Sequence, residues 1–309
     1  MELTLAHEII NIPWQVEVSL KRHSIDSIRL IGVASGLGAQ DHGCEDGPLL
    51  LRELKIFQGG KIPVTWGDIL RPVPHPESTI AATTELCSRL ARRVQDALNS
   101  SHFPLVIGGD HSCAIGTWSG VYQWLGARGS LGLIWIDAHM DSHTFATTPS
   151  GALNGMPLAC LLGYGEPALT ALAAAEPKLR PEHVCLLGVR SYEAGEAALL
   201  KKLGVRIISV EEIRQRGVAA TLAEAMAIVR NGTAGYGVSL DLDVLDPAEE
   251  PGVGSPAPDG LLCDELEHAL RLLRDDPAML AMEIVEYNPH HDRNRLTAKA
   301  AGALFRAAL

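Results

Sequence analysis

Short apolar runs alternate with longer helical patterns along the whole chain, and this alternation limits the folds open to it. The runs are Ile28–Val33, Lys61–Trp66, Phe103–Ile107, Leu131–Ile136, His183–Gly188, Val205–Val210, Tyr236–Leu240 and Met279–Val285. Most are apolar throughout, as expected for strands covered on both faces. Between them, Ser78–Asn99 sets Ile80, Leu86, Leu90, Val94 and Leu98 on one helical face, with Ser78 placed as N-cap. Glu193–Leu203, Ala219–Val229, Asp264–Leu273 and Thr297–Ala308 carry similar patterns. Such repeated alternation predicts an α/β fold: an open, mostly parallel sheet with helices on both faces.

Composition narrows the function classes. Hydrophobic residues make up 47% and charged residues 20%, an ordinary globular balance. Lys+Arg 26 against Asp+Glu 37 gives a net charge of −11, which argues against nucleic acid or an anionic membrane surface as partner. Met1–Trp14 has Glu2 and Glu8 but no basic start, so no secretory signal is expected. Apolar runs such as Leu131–Ile136 fall far short of the ~20 residues a membrane helix needs. The cysteines Cys44, Cys87, Cys113, Cys160, Cys185 and Cys263 form no C-x-x-C pair. Buried free thiols in a reducing cytoplasm are expected.

In a sheet of this kind, ligands bind beyond the carboxyl ends of the strands. Phe103–Ile107 runs into Gly108-Gly109-Asp110-His111-Ser112, and Leu131–Ile136 into Asp137-Ala138-His139-Met140-Asp141. Tyr236–Leu240 runs into Asp241-Leu242-Asp243-Val244-Leu245-Asp246-Pro247, and Met279–Val285 into Glu286. Asp137, His139 and Asp141 stand at i, i+2 and i+4, which in an extended segment would turn all three to one side. Asp241 and Asp243 repeat the i, i+2 spacing. Four carboxylates gathered without a cation would cost several kcal/mol or force protonation. Two divalent ions would balance them. Two imidazoles with four carboxylates and no thiolate disfavour structural zinc, copper, calcium and magnesium. Manganese suits the set best, ahead of iron, cobalt or nickel. Two such ions ~3.5–4 Å apart would lower the pKa of a bridging water and orient it for attack. Asp110 has a plainer reading as a helix N-cap.

These motifs resemble those of the ureohydrolase family, the arginases and agmatinases, from Gly43-Cys44-Glu45-Asp46-Gly47-Pro48 to Glu286-Tyr287-Asn288-Pro289. The Glu286 segment and Ser150-Gly151 look more like arginase. The resemblance implies a single domain over 1–309 with a three-layer α/β/α arginase-like fold and a mostly parallel, roughly eight-stranded sheet. It implies one Mn2+ held by His111, Asp137, Asp141 and Asp241, and a second by His139, Asp137, Asp241 and Asp243. The implied reaction is hydrolysis of L-arginine to L-ornithine and urea by a hydroxide bridging the two ions. Glu286 would pair with the guanidinium, and the assembly would be a trimer or hexamer.

The chain departs from the arginase pattern at the outer part of the site. Ser150 fits, but Asn154 stands where a histidine is expected, Ala152 replaces an asparagine, and His143 replaces another. Asn154 cannot exchange a proton near neutral pH. Glu193 is the nearest match to the acid that holds the substrate's ammonium group. Three readings follow: an arginase with altered proton transfer, a hydrolase of another guanidino compound such as agmatine or guanidinobutyrate, or a metal-binding relative with little catalysis. His143 reads either as the replacement shuttle or as a surface histidine. The Pro/Gly-rich stretch Glu249–Gly260 reads either as a wall of the site or as a connector. Asp137, Asp141, Asp241 and Asp243 account for four of the negative charges; about −7 remains for solubility.

Overall fold

The computed structural model describes residues 25–59, 62–75 and 78–309. Met1–Trp14 and Lys61 lie outside the described residues. Eight strands, β1 (Ile28–Val33), β2 (Val64–Leu70), β3 (Phe103–Ile107), β4 (Ser130–Ile136), β5 (Val184–Val189), β6 (Arg206–Ser209), β7 (Thr233–Asp241) and β8 (Met279–Val285), form one sheet. Its order is β2-β1-β3-β8-β7-β4-β5-β6, and every pairing is parallel. The expected mostly parallel sheet is therefore parallel throughout.

Successive residues of each strand point to opposite faces, so each strand feeds two cores. Leu105, Ile107, Ile134 and Ile136 pack on one face with Leu222, Leu266, Leu304 and Phe305 of the helices Val218–Arg230, Cys263–Leu270 and Leu296–Ala308. Val106, Leu133 and Trp135 pack on the other with Leu86, Leu90, Val94 and Trp118 of Thr79–Asn99 and Ala114–Leu125. The result is three layers, α/β/α. Ser78 caps Thr79–Asn99 as expected, its side chain accepting from Ala81 N–H.

Two of the shifted strand boundaries and one helix that the patterns did not predict have local reasons. β2 starts at Val64 and runs to Leu70, past the expected end at Trp66. It is an edge strand paired only with β1, and its half-buried Gly67 and exposed Asp68 break the apolar pattern. β6 stops at Ser209 because that side chain caps the helix Val210–Arg216, accepting from Glu212 N–H. The helix Ala114–Leu125 escapes periodicity because it lies between the sheet and Thr79–Asn99 and is buried on most sides. A helix apolar all round has no stripe to read. Its Gly116 and Gly120 let it come close to its neighbour: added Cβ atoms would lie 2.7 Å from Cys87 O and 2.5 Å from Ala91 O.

Candidate metal and substrate site

The strand order decides where the site falls. The four strands with chemical motifs, β3, β8, β7 and β4, are the four central neighbours of the sheet. All are parallel, so their carboxyl ends open on one side, and His111, Glu286, Asp241 and Asp137 meet there. Asp110 is the N-cap of the short 3-10 turn His111–Cys113 and accepts from Ser112 N–H, as its plainer reading expected.

Convergence at Asp137–Asp141 does not come from an extended strand. β4 ends at Ile136, and Asp141 has φ +46. That left-handed turn, uncommon for a residue with a side chain, swings its carboxylate back to the site. Asp141 Oδ2, Asp137 Oδ2 and Asp241 Oδ2 lie 2.9, 3.2 and 3.1 Å from His111 Nδ1. The other Asp137 oxygen faces His139 Nδ1 at 3.5 Å, and Asp243 Oδ2 lies 3.0 Å from the same nitrogen. Two clusters thus share Asp137: His111–Asp137–Asp241 and Asp137–His139–Asp243. Backbone N–H groups aim the acids. His139 N donates to Asp137 Oδ1 at 2.6 Å, Asp243 N to Asp241 Oδ1 at 2.8 Å, and Ala138 N to Asp243 Oδ1 at 3.2 Å.

The donor set fits cations, on the evidence of one atom. His111 Nδ1 is buried and makes no hydrogen bond, although three carboxylates surround it. The other ring nitrogen explains why. Nε2 lies 2.9 Å from Ser239 Oγ, whose own proton goes to Glu283 Oε1 at 2.6 Å. Ser239 must then accept from Nε2–H, so in the neutral ring the lone pair sits on Nδ1 and faces the acids, the tautomer a metal ligand needs. A proton is the competitor for that position. Burial opposes a charge on His111, yet Asp137, Asp141 and Asp241 outweigh it and hold its pKa well above the usual imidazole range, so Nδ1 carries a proton where no metal displaces it. Burial and Asp137 push Asp141 up to about 8, and burial with Asp243 and Asp137 pushes Asp241 well above its usual value. The cluster demands positive charge.

Glu283, the only charged residue in β8, was not picked out by motif; a lone acid in an apolar strand was its signal. It is fully buried and also receives Trp118 Nε1–H at 2.6 Å. Trp135 likewise donates to Asp137 Oδ2 at 2.8 Å and stacks on His111 with centroids 4.2 Å apart. Nothing in the sequence marks that pair. Arg190 donates to Asp243 O at 2.7 Å, Leu245 O at 3.1 Å, Ala257 O at 2.8 Å and Pro258 O at 2.9 Å, so it straps the loop after β7.

A cleft of about 260 Å³ leads down to the acids and is lined by His139, Asp141, His143, Ser150, Asn154, Glu193, Glu196, Asp241, Asp243 and Glu286. Every residue singled out for substrate or proton transfer lies here. Glu286, with φ +64, accepts His111 N–H at 2.8 Å, and Asn154 Nδ2 lies 3.4 Å from the same Oε1. Burial, then Asp110, push its pKa up to about 7. His143 is buried and not a surface residue: Nε2 lies 2.8 Å from Glu193 Oε2 and Nδ1 3.1 Å from Thr147 Oγ1. Glu193 is exposed at the outer lip and opens the helix Ala194–Leu203 in a capping box with Glu196. Ser255 lines the same cleft, so the Glu249–Gly260 stretch is a wall of the site. The six cysteines are free thiols, five of them buried. Among the described residues, no helix is long and apolar enough to cross a membrane.

A parallel α/β/α sheet with twin His/carboxylate clusters at its carboxyl edge defines a hydrolase of the binuclear-metal class. The arginase family model matches residues 26–309. The arginase of Bacillus caldovelox is 38% identical over 289 residues, 90% of this chain and 96% of that protein. The crystal structure of arginase from Bacillus subtilis superposes with TM-score 0.84 at 34% identity, over 92% of this chain and 98% of that one. Formimidoylglutamase from Bacillus subtilis follows with TM-score 0.75 at 25% identity, over 96% of this chain and 88% of that one. The chain belongs to the arginase family. It is an arginase-like amidinohydrolase.

Proposed function

We propose that this chain hydrolyses L-arginine to L-ornithine and urea, working as one domain with two Mn2+ ions. The carrying observation is the buried His111 Nδ1 atom, ringed by Asp137, Asp141 and Asp241 beside the cleft that holds the Glu286 carboxylate. His111, Asp137, Asp141 and Asp241 would hold one ion, and His139, Asp137, Asp241 and Asp243 the other. When bound, such a pair of ions supplies a strong nucleophile from water at neutral pH.

The chain's own residues do the rest. A guanidinium is planar and cationic, and Glu286 offers it a fixed carboxylate: Oε2 keeps a lone pair free, and on Oε1 the substrate takes the place of the long 3.4 Å contact from Asn154, which completes a bidentate pairing. That pairing orients the carbon for attack, where much of the rate gain from proximity arises. Further out, Glu193 receives the substrate's ammonium group and Ser150 its polar end. His143, held between Glu193 and Thr147, is oriented to carry protons, a role Asn154 cannot fill. Asn154 instead stands beside Glu286. The free thiols suit a reducing cytoplasm. Family resemblance supports a trimer or hexamer, which light scattering on eluting protein would test.

One observation favours a second substrate. Among the described residues, no lysine or arginine lines the cleft, so a decarboxylated guanidino cation such as agmatine would meet no loss there. Urea release from arginine, agmatine and guanidinobutyrate, with Mn2+ and with EDTA, decides between them. Faster turnover of arginine supports the first reading and faster turnover of agmatine the second. Inactivity on every compound refutes both.

A further inference from the structure

The Glu286 carboxylate is gripped from a side that the metal and substrate motifs leave unexplained. Its Oε2 lies 3.2 Å from the Sγ of Cys44, a residue 242 positions earlier in the chain. Cys44 is wholly buried in the 3-10 turn His42–Asp46. Burial, then Glu286 itself, push its thiol pKa well above the usual value, so the sulfur keeps its proton. The thiol therefore donates and the carboxylate accepts. The Glu286 carbonyl oxygen lies farther from the same sulfur, at 3.5 Å, so Oε2 is the nearer acceptor. Cys87 and Cys185 face backbone carbonyls alone. Gly254 closes the remaining side: a Cβ there would lie 2.5 Å from Oε2 and 3.0 Å from Sγ.

Glu286 thus has Oε1 tied to His111 N–H and Oε2 tied to the thiol. Two anchored oxygens fix the plane of a carboxylate, and bidentate pairing with a guanidinium needs that plane to match the ligand's. We propose that Cys44 is a positioning residue whose S–H bond to Oε2 sets the plane in which Glu286 meets the substrate. This rests on the reading of Glu286 as the guanidinium partner.

The test uses the Mn2+-loaded full chain and the variants C44V, C44A, C44S and E286Q, with arginine as substrate. C44V and C44A lack a donor, and a bond to a charged group is worth enough to lower kcat/KM about five- to tenfold. The loss appears chiefly as a higher KM, because the pairing forms before the chemical step. C44S, with an O–H donor, returns to within about twofold of the parent. A purely packing role would not separate C44S from C44A in this way. The infrared S–H band missing in C44A is expected at lower frequency than those of the other thiols, and it moves up in E286Q. Parental kcat and KM in C44V, with E286Q impaired, overturn the role of Cys44 and leave Glu286 in place. An S–H band at the frequency of the other thiols overturns it as well. Parental kinetics in E286Q overturn both assignments together.

Discussion

Replacing Ser239 by alanine removes the hydroxyl that links His111 Nε2 at 2.9 Å to Glu283 at 2.6 Å. All three side chains are almost fully buried, so water cannot take its place. The Nε2–H donor is left alone, and Glu283 Oε1 keeps only Trp118. Two hydrogen bonds at about 1 kcal/mol each, with an orphaned donor at about 1–3 kcal/mol, predict a loss of roughly 3–5 kcal/mol in the metal-free protein. The imidazole also loses the partner that fixes its tautomer. Removing such partners typically weakens metal binding ~10–100-fold, or about 1.4–2.8 kcal/mol. Calorimetric titration of the metal-free variant with Mn2+ gives the affinity, and thermal unfolding with and without metal gives the stability. S239A should bind one of its two ions more weakly and melt lower in both states. E283Q keeps an acceptor for Ser239 and should hold affinity closer to the parent. Parental Mn2+ affinity in a destabilised S239A would refute the tautomer argument, showing that Nδ1 presents its lone pair without this relay.

Other perturbations follow from the same geometry. Glu250 is nearly buried, with Oε2 unpartnered, and burial, Glu249, Asp246, Asp264 and Asp292 push its pKa up to about 7. The folded protein then holds a proton that the unfolded chain releases near pH 4.5, so this group lowers stability as pH rises from about 4.5 to 7. Denaturant midpoints should show E250Q gaining on the parent between pH 5 and 8, by at most about 3 kcal/mol; an equal difference at both pH values would contradict this. R190A should cost about 2–4 kcal/mol by freeing the carbonyls it straps. R190K should recover little, since an ammonium cannot span them, and its melting temperature would tell. H143A should lower kcat by ~10²–10⁴ if the imidazole moves protons, and a rate near the parent's removes it from that role.

Much of this was legible because burial and strand ends leave local marks. Apolar runs such as Phe103–Ile107 and Leu131–Ile136 fall within a residue of the observed strands, since a strand covered on both faces has no polar positions to blur it. Six candidate metal ligands stood out because acids and histidines directly follow apolar runs. Elements lacking a one-sided pattern were missed or displaced: Ala114–Leu125, buried on most sides, and β2, half-exposed at the sheet edge. Asp141 was expected on an extended segment, and only its φ of +46 shows that a turn delivers it.

By itself, then, the sequence determined the strand–helix alternation, the ends of the strands and the chemical types gathered there. Local periodicity records which face of an element is buried, and spacing records which residues follow it. Neither records which strand lies beside which. That β3, β8, β7 and β4 are neighbours is a property of the assembled sheet, and it alone brings His111 to Asp241 and Glu286. The same holds for Ser239 beneath His111, Trp118 on Glu283 and Cys44 on Glu286, contacts that span 128, 165 and 242 residues. Such partners are chosen by packing across the sheet, so only the tertiary structure decided them.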